Sequence, residues 1–389
     1  MSVGTGRALA GGKICLALLL GTAGIALVSA GGDIALSQTG AGNVAQAPLF
    51  IAIDLSPGGF ATSEAFGTSA GQQVGIGVSS ATTGRFHAML WRGTAASMVD
   101  LTPSEFVESK AFGISGGQQV GYGYGPATGG ATHALLWRGS ATSVADLNPS
   151  GFVQSEAFGV SHGQQVGYGY GPTTRGGHAL LWRGTADSVV DLNPPGFIQS
   201  QAFGISSEEQ VGVGVGPATG YQPHAVLWHG SAASAVDLHG GGWSFTQSKA
   251  FATSGGGQVG FGVNPSRGPP PHALLWHGSA ESVVDLHPSG FYESLALDIC
   301  GGQQVGYGRT LQPSVVHALL WSGTAVSVVD LNAFLPSGFQ DAQALGFDAS
   351  GDVVGVAQGP ASGGKPHAFL WRRNVPKPDS SPGQGAMRC

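Results

Sequence analysis

Residues 156–197 read EAFGVSHGQQVGYGYGPTTRGGHALLWRGTADSVVDLNPPGF, and this stretch recurs along the chain with small changes. It holds short apolar runs of about 4 to 8 residues bounded by Gly, Pro or Ser, a length that suits strands and leaves no room for a helix. Strands are predicted at 156–161, 165–170, 178–182 and 188–192. The third, HALLW, is apolar on both pleat faces after its His, as expected of a strand covered on both sides.

Working outward, the anchor H-A-x-L-W begins at His87, His133, His178, His224, His272, His317 and His367, at intervals of 46, 45, 46, 48, 45 and 50 residues. That period suits a four-stranded propeller blade and is too long for a leucine-rich or ankyrin repeat. The anchor tryptophans are Trp91, Trp137, Trp182, Trp228, Trp276, Trp321 and Trp371. Stacked blade on blade, each ring buries roughly 150–250 Å². The strand glycines, Gly167 and Gly169 in this copy, let a neighbouring backbone or ring approach where a side chain would collide.

Closure is legible too. A D-L strand stands at Asp54, Asp100, Asp146, Asp191, Asp237, Asp285 and Asp330, so the first precedes any complete unit and none follows His367. The segment Leu49 to Leu55 therefore fills the vacancy beside Trp371 and leaves no open sheet edge. The predicted fold is an all-β, seven-bladed β-propeller over residues 49–373, with four antiparallel strands per blade, closed by its N-terminal strand.

Composition agrees. The 68 Gly and 22 Pro with only 10% charged residues would suggest disorder, but 42% hydrophobic residues make the glycines turn punctuation. A net charge of -6 without a basic run excludes nucleic acid as a partner class. Residues 1–30, with Arg7 and Lys13 before an apolar stretch ending Val28-Ser29-Ala30, read as a secretory signal, since two interior glycines disfavour a membrane span. Residues 31–48 read as a linker and 374–389 as a disordered tail. An extracellular or periplasmic monomer, not inserted in a membrane once the signal is removed, is expected. Signal removal takes Cys15 and leaves Cys300 and Cys389, whose pairing stays open.

The recurrent H-A-[FL]-L-W, the D-L, the S-x-A-x-G-[IV] and the G-Q-x-V-G resemble the HAF-repeat family of bacterial proteins, over residues 49–371. The resemblance implies an exported repeat protein and carries over no catalytic residue. It departs where the family has D-L-G-x-L-G-G and an Asn-rich turn, since D-L-N-P-S-G-F and Ser-Gly-Gly stand there.

Chemistry is sparse. Seven histidines spaced around a ring cannot converge on one ion. Each is expected to order its blade through a hydrogen bond to the repeated Asp or a loop carbonyl. Asp348 and Asp352 faintly resemble a calcium loop without its terminal Glu. No cofactor or metal site is expected, and no nucleophile elbow, zinc spacing or phosphate loop is found.

Loops between the fourth and first strands and between the second and third share one face in a propeller. They vary most here, as in 125–132 against 263–271, so recognition of a glycan or an extracellular protein is expected there. Candidate ligand residues are Trp243, which breaks the repeat, Phe245, and the ring of Glu64, Lys110, Glu156, Gln201 and Lys249 at the channel mouth. Phe60, Phe106, Phe152, Phe197, Phe245, Phe291 and Phe339 recur before each first strand and either plug blade joints or stack on sugars. A polysaccharide hydrolase or lyase using two of Glu64, Glu108, Glu156 and Glu293 is the alternative to a non-enzymatic binder.

Overall fold

The structure is a computed structural model that describes residues 49–374, except 175, 241, 242 and 267. The signal at 1–30, the linker at 31–48, the tail from 375 onward, Cys15 and Cys389 lie outside the described residues. No described helix is long and apolar enough to cross a membrane.

Seven four-stranded antiparallel sheets form a seven-bladed β-propeller. Blades 1 to 6 span 60–100, 108–146, 154–191, 199–237, 247–285 and 293–330 in chain order. Blade 7 joins Asp341–Phe347, Val353–Gln358 and His367–Arg373 to the N-terminal strand Phe50–Asp54. Phe50 pairs with Arg373 and Asp54 with Phe369. The amide of Leu55 adds a bond to the Ala368 carbonyl at 2.8 Å, and that of Asn374 one to Leu49 at 3.0 Å. The first strands contact one another from blade to blade and so line the central channel.

In blade 3 the strands are Gln154–Ser161, Gln164–Tyr170, His178–Trp182 and Val190–Asp191. The fourth is two residues long where five were predicted, because Ala186–Ser188 winds a 3-10 turn first. Ser188 stabilises that turn by accepting from the Arg183 amide and donating to the Thr185 carbonyl. Short 3-10 turns are the helical element that the repeat accommodates.

Each anchor Trp is fully buried and sits with apolar residues of the preceding blade. Trp182, for example, clusters with Val120, Leu136 and Leu147 of blade 2. The core is therefore seven interblade clusters around the channel. A buried serine adds a bond between blades: Ser155 Oγ accepts from the Ala134 amide of blade 2, and Ser200 Oγ from Ala179 of blade 3. In blade 7 the corresponding residue is Ala342, and Asn332 Oδ1 accepts from Ala318 instead.

Two glycines show why the second strand needs them. A Cβ on Gly167 would strike the Glu156 carbonyl, which a bulge at Phe158 turns toward it. One on Gly169 would meet the Phe152 ring at 2.7 Å. The recurrent loop phenylalanine thus occupies space that glycine vacates.

Candidate functional site

The repeat histidines and aspartates meet in every blade. His87, His133, His178 and His224 bring Nδ1 within 2.6 to 2.7 Å of Asp100, Asp146, Asp191 and Asp237. His272 and His317 reach Asp285 and Asp330 at 3.1 and 2.7 Å. In blade 7 His367 reaches across the closure to Asp54 at 2.8 Å. The other carboxylate oxygen of each Asp caps the turn that follows, as Asp191 Oδ1 does for the Asn193 amide. No cluster of three metal-ligating side chains occurs among the described residues. Asp348 accepts from Ser350 and Asp352 within its own turn and from Thr68 of blade 1, so its oxygens are taken up by the fold.

The loop phenylalanines lie against the second strands. Phe245 is 9% exposed within the cluster around Leu274 and Trp276, the packing role that was the alternative to ligand contact for this column. Trp243 is half-buried and stacks on Phe245, centroids 5.5 Å apart. It covers the core with one face.

The fourth-to-first and second-to-third loops do share a face, since the amides of Ala127 and Ala218 in the latter bond Glu105 and Gly196 in the former. From that face the first strands descend into the channel, with a polar residue above an aromatic one in blades 1 to 5, Leu295 above Leu297 in blade 6 and Gln343 above Leu345 in blade 7. The interblade packing fixes the level: Gly346, Gly67, Gly113 and Gly159 each lie against the phenylalanine carbonyl of the next blade, namely Phe66, Phe112, Phe158 and Phe203. Three residues earlier on the same strands stand Gln343, Glu64, Lys110 and Glu156. These four side chains are ring neighbours at one height.

Lys110 Nζ rests 4.3 Å above the Phe86 ring and 5.8 Å from Tyr122. Burial lowers its pKa, and Glu108, Glu64 and Glu156 pull the other way. Burial pushes both Glu64 and Glu156 up to about 7, with Lys110 holding each lower than burial alone would. Tyr168 donates to Glu156 Oε1 at 3.1 Å. Two acceptors have no hydrogen-bond donor: Glu64 Oε2 and Gln343 Oε1. Gln201 and Lys249 continue the level in blades 4 and 5, both half-buried and both engaged. Glu293, in contrast, is bound to Arg309 at 2.9 Å.

One level deeper, Phe66, Phe112, Phe158, Phe203 and Phe251 touch in sequence with centroids 5.2 to 5.8 Å apart. Leu297 and Leu345 hold the position in blades 6 and 7. The channel wall is thus polar above and aromatic below in blades 1 to 5. Sequence reasoning placed the charged ring but missed Gln343, Phe86, Tyr168 and the phenylalanine arc. The signal for the arc was present in the repeated A-F-G, which a bulge turns toward the channel.

No protein-family model and no curated protein matches the chain. Among solved structures it is similar to a puromycin hydrolase, at 10% identity and a TM-score of 0.54, covering 81% of this chain and 56% of that one. A puromycin-hydrolyzing peptidase from Mycobacterium tuberculosis gives 12% identity and 0.52, covering 84% and 56%. The β-propeller domain of the Trilobed protease from Pyrococcus furiosus gives 10% and 0.53, covering 84% of this chain and 98% of that one. The chain thus spans little over half of the two hydrolases. That archaeal domain is described as having an open velcro topology, whereas blade 7 here is closed by the strand at 50–54. Likeness at this identity establishes the propeller fold and nothing about chemistry.

Proposed function

We propose that the protein is a non-enzymatic binding propeller, exported by its leader, that takes a glycan or an extracellular protein on the loop face. One observation carries this reading. Ten large apolar side chains are exposed among the described residues, and seven of them (Val107, Val153, Tyr170, Ile198, Tyr221, Tyr292 and Leu311) belong to that face. Elsewhere are Leu49 and Ile51 on the closing strand and Val326 on a 3-10 turn. Val153 and Tyr170 are joined by a backbone bond at 2.8 Å, so blade 3 presents an aliphatic and an aromatic group together. Apolar groups gathered on one face of a soluble scaffold mark a surface that another molecule covers.

The resemblance to HAF-repeat proteins and the segment 1–30 support an extracellular or periplasmic setting. The hydrolase reading gains little from the site, because Glu293 is spent on Arg309, and Ser248 and Ser294, which His239 and His287 touch at 2.8 Å, are fully buried and accept from the Ala225 and Ala273 amides. The test is binding of the exported chain to a glycan array and to cell-surface protein, repeated with Tyr170→Ala/Ile198→Ala and with Trp243→Ala. Loss of binding in the double variant supports the reading. Undiminished binding there, or none by the unaltered chain, overturns it.

A further inference from the structure

We infer that the upper level of the channel, bounded by Gln343, Glu64, Lys110 and Glu156, is a subsite for a neutral polyhydroxyl ring, of the kind a pyranose sugar presents. The inference rests on the binding role of the loop face and names a ligand class for it.

The first ground is unmet hydrogen bonding. Glu64 is 5% exposed, yet its Oε2 has no donor, and Gln343 Oε1 on the adjoining strand has none either. A buried acceptor left unpaired is costly, and here two stand side by side at one height. On the next strand the ammonium of Lys110 lies over the Phe86 ring. The site therefore offers acceptors and a strong donor together. A hydroxyl group, which donates one bond and accepts two, answers both.

Charge narrows the class. At pH values above about 7, where Glu64 and Glu156 are ionised, a carboxylate ligand would suit Lys110 but meet both. An ammonium ligand would suit the two glutamates but meet Lys110. A neutral ring with adjacent hydroxyls meets no like charge in either place. The deeper level adds the third ground: half-buried Phe158, Phe203 and Phe251 belong to the arc below the polar level. A pyranose has an apolar C–H face of matching character, and aromatic surfaces cover such faces while polar groups fix orientation. The bulge in each first strand explains how both levels face one space.

The experiment titrates the full exported chain with glucose, galactose and N-acetylglucosamine, with glucuronate and glucosamine as charged comparators, read by saturation-transfer NMR. Lys110→Met and Gln343→Leu are compared with the unaltered chain, and thermal melting confirms that each is folded. Glu64→Gln is the third variant: it keeps an acceptor and removes the charge, so it is expected to retain neutral sugars. The expected result is binding of at least one neutral sugar, with about tenfold weakening in Lys110→Met or Gln343→Leu, and weaker binding of both charged comparators. Should no neutral sugar bind, or should binding be indifferent to both folded variants, the inference is overturned. Rim variants such as Tyr170→Ala read the loop face separately, so that reading can fail while this one holds, and the reverse.

Discussion

At the seam between blades 3 and 4, Gly159 lies bare against the Phe203 carbonyl, Ser200 takes the Ala179 amide, and Trp228 Nε1 has no acceptor. At the seam between blades 6 and 7 every one of these positions differs. Asp298 stands where Gly159 does and accepts from the Phe347 amide of blade 7 at 2.8 Å. Asn332 replaces the serine. Trp371 Nε1 donates to the Leu331 carbonyl at 3.1 Å, the one anchor indole with an acceptor, and Phe334 meets Phe50 of the closing strand edge-on. On the other side of blade 7, Thr68 of blade 1 donates to Asp348. Regular seams hold chiefly by apolar packing, which is non-directional. The closing blade, whose outer strand arrives from the far end of the chain, is fixed by directional bonds as well.

The comparison breaks most visibly if the closing strand goes. Deleting residues 49–55 removes buried Phe50 and Leu55 and bares the edge at His367–Arg373. Loss of most of a typical ~5–15 kcal/mol is expected, seen as absence of a cooperative melt. A melt near that of the full chain would mean the ring does not depend on its closure.

The tryptophans sharpen it next. Trp182→Phe removes an unsatisfied N–H along with some packing, whereas Trp371→Phe breaks the bond to the Leu331 carbonyl. Urea unfolding is expected to show Trp371→Phe the costlier by about 1–3 kcal/mol. Equal losses would remove the special status of the seam.

Asp298 gives a pH dependence. It is fully buried, and burial pushes its carboxyl up to about 7 from 3.8, with the Phe347 and Ile299 amides opposing the rise. A carboxyl whose folded value is raised binds its proton more tightly in the folded state. Its contribution is complete below the unfolded value and is lost as pH rises toward 7. Asp298→Asn is therefore expected to flatten the fall in melting temperature between about pH 4 and pH 7, and an unchanged slope would count against it.

The smallest effect concerns blades 4 and 5, where His239 and His287 do the work of Asn148 and Asn193. Each stacks on an anchor histidine, His224 or His272, with centroids 3.7 and 3.9 Å apart. Burial lowers both pKa values, and the anchor histidine beside each lowers them further. Their stabilising share is present above the unfolded value and lost as pH falls through it. His239→Asn should change stability at neutral pH by under about 1 kcal/mol while improving resistance to mild acid, read from melts at both pH values. Equal acid sensitivity in the variant would overturn the role given to the stacked pair.

The ring, its blade count and its closing strand were all legible, because each is a statement about one column of the repeat read seven times. The His–Asp bond was legible for the same reason. What sequence hid were exchanges between columns: Ala342 looks like a lost serine until Asn332, ten residues earlier, is seen to serve Ala318. Asp298 reads as one of two departures from glycine, Ala252 being the other, and nothing in sequence tells that it reaches the next blade. In the channel, the charged column was visible, but whether Glu64 is wet or buried depends on the bulge that turns Phe66 inward. The choice between packing and stacking for Phe245 was not legible, because its column is defined by space that Gly262 vacates on another strand.

The bond between His367 and Asp54 spans 313 positions of the chain. During synthesis, then, the segment that finishes the last sheet is made before any other blade strand and must wait, unpaired, until nearly all the rest of the propeller exists. Such a ring cannot be completed blade by blade in chain order; its final step is the return of residues 50–54, and folding should be slow for its size and sensitive to anything that captures that strand on the way.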